Sequence, residues 1–141
     1  MDHGPGIQVL LIEDNAEYAV AVSRALARLG HASWDVARVA GLEEALARLG
    51  EQRFDVILCD LMMQQSSGMD LYAAIARRQP ELARRMLFMT GGAYTAHAQR
   101  FLAAVPNPCI DKPFGPAELV SVVEQVMTGG APDDAQPRSS A

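Results

Sequence analysis

Five residues able to take part in phosphoryl chemistry stand just after short apolar runs that lie far apart in the chain. Glu13 and Asp14 follow Val9-Leu10-Leu11-Ile12, and Asp60 follows Val56-Ile57-Leu58-Cys59. Thr90 follows Met86-Leu87-Phe88-Met89, and Lys112, itself followed by Pro113, comes after Pro108-Cys109-Ile110-Asp111. A carboxylate can accept a phosphoryl group and hold it as an acyl phosphate, which makes Asp60 the candidate nucleophile. Phosphoryl transfer needs positioning and charge neutralisation more than covalent help. A hard divalent cation supplies the neutralisation when carboxylates, a carbonyl and waters hold it, and Glu13 and Asp14 form the candidate cradle. Three clustered carboxylates repel one another, so the site is expected to be strained and metal-hungry without a cation. Lys112 offers a point charge to a phosphoryl oxygen, and Thr90 offers a hydroxyl.

This chemistry works only if the five residues converge. In an open parallel sheet, ligands bind in the crevice outside the carboxyl ends of the strands. The runs therefore have to be parallel strands, and the sequence between them reads that way. Ile7 to Ile12 is apolar apart from Gln8, as in a strand covered on both faces. A helix is expected from about Ala16 to Leu29, with Tyr18, Val22, Leu26 and Leu29 facing the sheet and Gly30 ending it. The second strand falls within Ala32 to Val39, where the apolar spacing of Trp34, Val36 and Val39 is ragged. Leu42, Ala45, Leu46 and Leu49 mark a second helix. Phe54 to Cys59 is the clearest strand, and a loop from Leu61 to Ser67 leads at Gly68 into a third helix that ends near Gln79-Pro80. Met86 to Met89 is a strand, Phe101, Leu102 and Val105 belong to a fourth helix, and Cys109 to Asp111 is a short last strand. Pro116 opens a final helix striped by Leu119, Val122, Val123 and Val126.

Five strand–helix units in about 125 residues predict an α/β, doubly wound (βα)5 three-layer sandwich whose parallel five-stranded sheet has the order 2-1-3-4-5. The expected division is a mobile N-terminus over 1–6, one domain over 7–127, and a disordered tail or linker over 128–141, where Gly, Pro, Asp, Gln and Ser take over.

Bulk composition narrows the function classes. Of 141 residues, 50% are hydrophobic and 21% charged, which suits a folded core. The formal net charge is -5 and no Lys/Arg run occurs, which argues against nucleic-acid binding by this chain. No stretch approaches the ~18 apolar residues of a membrane span, so no membrane insertion is expected. Met1 to Gln8 lack the features of a signal peptide. Cys59 and Cys109 lie inside candidate strands and read as reduced, buried thiols. A cytoplasmic setting is the expectation.

Taken singly, each candidate has an ordinary explanation. An acid after a strand can be a helix cap or a solvated loop charge, Thr90 can be a cap or surface hydroxyl, and Lys112 a surface lysine. Met86 and Met89 read as core filler and Met63 as packing for its loop. Five such residues in order, each at a strand end, outweigh those readings. With that arrangement the chain resembles a two-component response regulator receiver domain from roughly Ile7 to Met127. The resemblance is carried by Glu13-Asp14, Asp60, Thr90, Lys112-Pro113 and the segment Asp60-Leu61-Met62-Met63-Gln64 up to Gly68, eight residues past the Asp.

The resemblance implies a flavodoxin-like receiver fold and a signalling phosphoacceptor rather than an enzyme. Asp60 would be phosphorylated from a phosphohistidine with Mg2+ (or Mn2+). Asp14 and Asp60 would bind the metal directly, Glu13 mostly through water, and the Met62 backbone carbonyl as a further ligand. Thr90 would reorient when phosphate arrives, with Gly91 leaving room, and Lys112-Pro113 would be a cis peptide. The implied partner is a histidine kinase or histidine phosphotransfer protein, and the implied state a monomer or weak dimer. A stripe of Ala16, Val20, Ser23 and Ala27 on the first helix, between the sheet side and the Glu17/Arg24/Arg28 side, is a candidate docking face; alanines also stand there simply as good helix formers.

Departures from the family pattern are local. Gln64 stands where Pro is usual, Glu13 where Asp is commoner, and Ala32 to Gly41 is about two residues long, which suggests a bulge in the second strand or its exit. Cys109 occupies the place of an aromatic switch residue and cannot act as one. Asn107 to Phe114, with Thr90-Gly91-Gly92-Ala93, resembles receivers attached to hybrid sensor kinases. Met62 and Gly92 flank the expected path of an attacking water and cannot orient it, so slow autodephosphorylation is expected. Two other classes compete. A haloacid-dehalogenase-type phosphohydrolase would need a second Asp where Met62 stands. A phosphorylation-independent scaffold would not need Asp60, Thr90 and Lys112 together.

Overall fold

The apolar runs pair into one parallel sheet. In the computed structural model, which describes residues 7–29, 34–61, 68–91 and 95–127, the strands are β1 (Ile7–Ile12), β2 (Trp34–Val39), β3 (Val56–Asp60), β4 (Met86–Thr90) and β5 (Cys109–Asp111). Their order is β2-β1-β3-β4-β5, as the alternation of strands and helices predicts. The helices are α1 (Ala16–Leu29), α2 (Leu42–Glu51), α3 (Gly68–Arg78), α4 (Pro80–Ala83), α5 (Ala96–Ala104) and α6 (Pro116–Met127).

Successive strand residues point to opposite faces, so each central strand supplies two cores. Leu10, Ile12, Ile57, Cys59, Met86 and Phe88 meet Ala45 of α2, Leu71 and Ile75 of α3 and Ala98 of α5. Val9, Leu11, Val56, Leu58, Leu87 and Met89 meet Ala19, Val22 and Leu26 of α1 and Leu119, Val123 and Val126 of α6. All residues of β3 and β4 are buried. Two covered faces explain why these strands read as continuous apolar runs rather than alternating ones.

β2 differs because it is an edge. Asp35 and Arg38 are exposed and only Val39 is fully buried, which is the physical origin of its ragged spacing. Its register with β1 runs one to one from Ile7↔Trp34 to Ile12↔Val39, and only Ala40 and Gly41 separate it from α2. The suggested bulge is therefore absent from both β2 and its exit; residues 31–33 lie outside the described residues.

The single third helix anticipated up to Gln79-Pro80 is followed by a separate turn, α4. Proline suits the first turn of a helix, where its missing N–H is not needed, so Pro80 ends one helix and opens another. Leu82 and Ala83 are buried there. Asn107, buried before β5, donates from Nδ2 to the carbonyls of Ala83 (2.8 Å) and Met86 (2.9 Å) and ties this turn to the sheet. Cys59 is buried, Cys109 half-buried, and neither forms a disulfide.

Candidate functional site

The parallel register brings the chemical residues to one edge. Ile12 is level with Cys59, Asp60 with Met89, and Thr90 with Asp111. Backbone bonds extend the alignment past the strand ends: Glu13 N–H donates to Val39 O (3.1 Å), Leu61 N–H to Met89 O (2.8 Å), and Lys112 N–H to Thr90 O (2.7 Å). The guanidinium of Arg38 adds two bonds to the Glu13 carbonyl, at 3.0 and 2.8 Å. The acidic end of β1 is thus tied to β2 through both its N–H and its C=O.

Glu13 is fully buried, Asp60 is 5% exposed and Asp14 is exposed. Carboxylate oxygens of the three lie within 4.8 Å of one another. Lys112 Nζ bridges two of them, 3.0 Å from Glu13 Oε1 and 3.2 Å from Asp60 Oδ2. Burial raises the Glu13 carboxyl above its ordinary value; the Lys112 hydrogen bond opposes this and the Asp60 charge reinforces it. For Lys112, burial pulls the ammonium down, but the Glu13 hydrogen bond and the Asp60 charge outweigh it and leave its pKa raised. Lys112 therefore stays an ammonium, set against the carboxyl groups of Glu13 and Asp60. This all-oxygen donor set fits a hard cation such as Mg2+ or Mn2+.

Thr90 is fully buried at the end of β4, and Gly91 is exposed. A Cβ on Gly91 would meet nothing within 4 Å, so the backbone just after the threonine lies in open space. The Lys112–Pro113 peptide bond is cis. Cys109 is level with Phe88, on a face where Phe88, Phe101 and Tyr72 pack edge to face at centroid distances of 5.3 to 6.1 Å. The Met62 carbonyl, Met63, Gln64 and Gly92 lie outside the described residues.

Gly68 stands where a side chain would be crowded. An added Cβ would lie 2.9 Å from Cys59 Sγ and 3.0 Å from the Asp60 carbonyl oxygen. Its N–H donates to Leu61 O at 3.1 Å, closing the segment that leaves Asp60. On α1, Val22 and Leu26 are buried, while Ala16, Val20 and Ala27 of the stripe are exposed and Ser23 is half-buried. Tyr18 is only half-buried: its ring lies 4.3 Å from Lys112 Nζ. Neither the Tyr18 contact with Lys112 nor that of Arg38 with Glu13 is legible in the sequence, because each joins residues distant along the chain.

The model of the response regulator receiver domain family matches residues 9–124. The chain belongs to that family. Among curated relatives of this receiver domain, the DNA-binding transcriptional regulator NtrC of Azospirillum brasilense is 30% identical over 92% of the chain. The autoinducer 2 sensor kinase/phosphatase LuxQ of Vibrio vulnificus is 33% identical over 82%. The chain spans only 26% of the former and 13% of the latter. The solved receiver domain of the sensor histidine kinase PA1611 from Pseudomonas aeruginosa PAO1 has a TM-score of 0.74 at 27% identity. It covers 88% of this chain and 99% of its own, and carries a magnesium ion in its active-site cleft. The chain is thus a receiver domain of two-component signalling, a signalling module whose family interacts with histidine kinases or phosphotransfer proteins and binds Mg2+ at its acidic site. No described helix is long and apolar enough to cross a membrane.

Proposed function

We propose that Asp60 is the phosphoacceptor of this receiver and that it takes its phosphoryl group from a phosphohistidine. The observation that carries the reading is the Lys112 ammonium held between Glu13 and Asp60, two of three carboxylates that converge there with Asp14. An Asp60 oxygen attacks phosphorus, an O–P bond forms, and the P–N bond breaks. The bonding pair leaves with the imidazole nitrogen, which takes a proton from solvent. Glu13, Asp14 and Asp60, with the Met62 carbonyl, would hold Mg2+ or Mn2+, which supplies charge neutralisation to the phosphoryl oxygens. Lys112 exchanges its bond to Asp60 for one to a phosphoryl oxygen. Thr90 donates its hydroxyl to another.

The folded unit is residues 7–127, acting in the cytoplasm as a monomer or weak dimer. Its partner, a histidine kinase or phosphotransfer protein, docks on Ala16, Val20, Ser23 and Ala27 of α1. Hydrolysis of the acyl phosphate is slow. The likeness to PA1611 and LuxQ favours a receiver from a hybrid kinase, which passes phosphate on. Incubation with acetyl phosphate and Mg2+, read by intact mass, tests the chemistry. A phosphate-sized adduct is expected in the wild type and not in Asp60→Asn. No adduct in the wild type would favour the phosphorylation-independent scaffold.

A further inference from the structure

We propose that Tyr18 is a positioning residue for Lys112: its ring face holds the ammonium beside the acidic site, and Phe114 holds the ring. Lys112 Nζ lies 4.3 Å from the ring centroid, well inside the ~6 Å at which a cation is attracted to an aromatic face. The same nitrogen is 3.0 Å from Glu13 and 3.2 Å from Asp60. It therefore has three partners distant from it along the chain, and the ring is the one that is not a carboxylate.

The ring is itself fixed from two directions. Asn15 Oδ1 accepts a hydrogen bond from Tyr18 N–H at 2.8 Å, which anchors its root in the first turn of α1. Phe114 meets the ring at 5.6 Å and an interplanar angle of 81°, an arrangement favoured by aromatic quadrupoles. Phe114 lies two residues after Lys112, so one short segment supplies both the cation and the buttress.

The ring packs at the margin of the core and meets Lys112 Nζ as well. Tyr18 is half-buried, and with Phe114, Ala21, Ala25, Pro116 and Leu119 it borders a groove between α1 and α6 that is open to solvent. Burial, opposed by Lys112 and reinforced by Glu13 and Asp60, raises the phenol above its ordinary value, so the ring presents a neutral face.

The contact serves the exchange that Lys112 has to make. A lysine ammonium sits on a flexible four-carbon stem. When a phosphoryl group reaches Asp60, the bond to Oδ2 gives way to one with a phosphoryl oxygen. Attraction to a ring face has a broad angular range, so Tyr18 keeps the ammonium near the site while its carboxylate partners change. This kinetic role rests on the phosphoacceptor reading; the resting contact does not.

Two measurements decide it. Acetyl phosphate labelling with Mg2+ is timed for wild type, Tyr18→Phe, Tyr18→Leu, Lys112→Met and the Tyr18→Leu/Lys112→Met double variant. Tyr18→Leu is expected to slow labelling about fivefold, the worth of a partly exposed cation–π contact of about 1 kcal/mol. Tyr18→Phe restores the rate, and Tyr18→Leu slows nothing further in the Lys112→Met background. Equal slowing in both backgrounds, or none in either, overturns the proposal. The second measurement is the NMR position of the Lys112 Cε protons in the unphosphorylated wild type. They are expected upfield of ordinary lysine because of the ring current, and an unshifted signal overturns the proposal. Wild type that never labels while the Cε protons are shifted counts against the phosphoacceptor reading alone.

Discussion

Gly68 shows how tightly the nucleophile's surroundings are set. A methyl group there would press on the Asp60 carbonyl oxygen and on Cys59 Sγ. Cys59 is fully buried and Asp60 belongs to a central strand, so neither can move aside cheaply. Gly68→Ala is expected to cost about 1–3 kcal/mol, the range for overpacking a close-packed site, and to slow Asp60 labelling. Denaturant midpoints at unchanged m-value measure the first effect, and intact mass the second. A variant as stable as wild type would mean that the start of α3 can shift away from β3. Lys112 belongs to the same scale. Its ammonium and the buried Glu13 each depend on the other, so removing the lysine leaves an uncompensated buried carboxylate.

Among the elements, α1 serves two sides of the molecule. Its inner face buries Ala19, Val22 and Leu26 against β1, β3 and α6. Its outer stripe leaves Val20 half exposed, the one large apolar side chain so exposed among the described residues. Val20→Asp or Ala27→Asp is expected to slow phosphotransfer from the partner about tenfold or more, the effect of losing an interface residue worth over 1 kcal/mol. Labelling by acetyl phosphate, which needs no docking, stays as in wild type. Equal transfer rates from the partner would remove α1 from the interface. On the opposite face, the aromatic trio of Tyr72, Phe88 and Phe101 packs beside Cys109. Any signal that leaves Thr90 there meets a thiol at position 109, not an aromatic ring.

For the whole molecule, three carboxylates that converge on one edge repel one another, and a cation held by them would relieve that repulsion. A ligand that binds only the folded state stabilises it by RT ln(1 + [L]/Kd), about 2.7 kcal/mol at a hundred times Kd. Mg2+ is therefore expected to raise the melting temperature of the wild type, and Asp14→Asn to shrink that rise. Asp14 is exposed, so its substitution leaves the buried cores intact and reports on the cation rather than on packing. A melting temperature insensitive to Mg2+ would contradict the proposed cradle.

The central strands, their order and the residues at their carboxyl ends are legible in the one-dimensional pattern. A strand buried on both faces has to be continuously apolar, and the residue that ends it has to be polar, so β1, β3 and β4 announce both themselves and Glu13, Asp60 and Thr90. Edges carry less information. One solvated side gave β2 its ragged pattern and hid its regular register with β1, and the four-residue α4 beyond Pro80 is too short to carry a helical period. Contacts between distant residues have no sequence signal at all. Tyr18 over Lys112, Arg38 on the Glu13 carbonyl, Asn107 beneath α4 and Gly68 against Asp60 arise only when the sheet closes. Residue type and spacing could name the groups that meet, but their distances, burial and choice of partner are properties of the packed molecule.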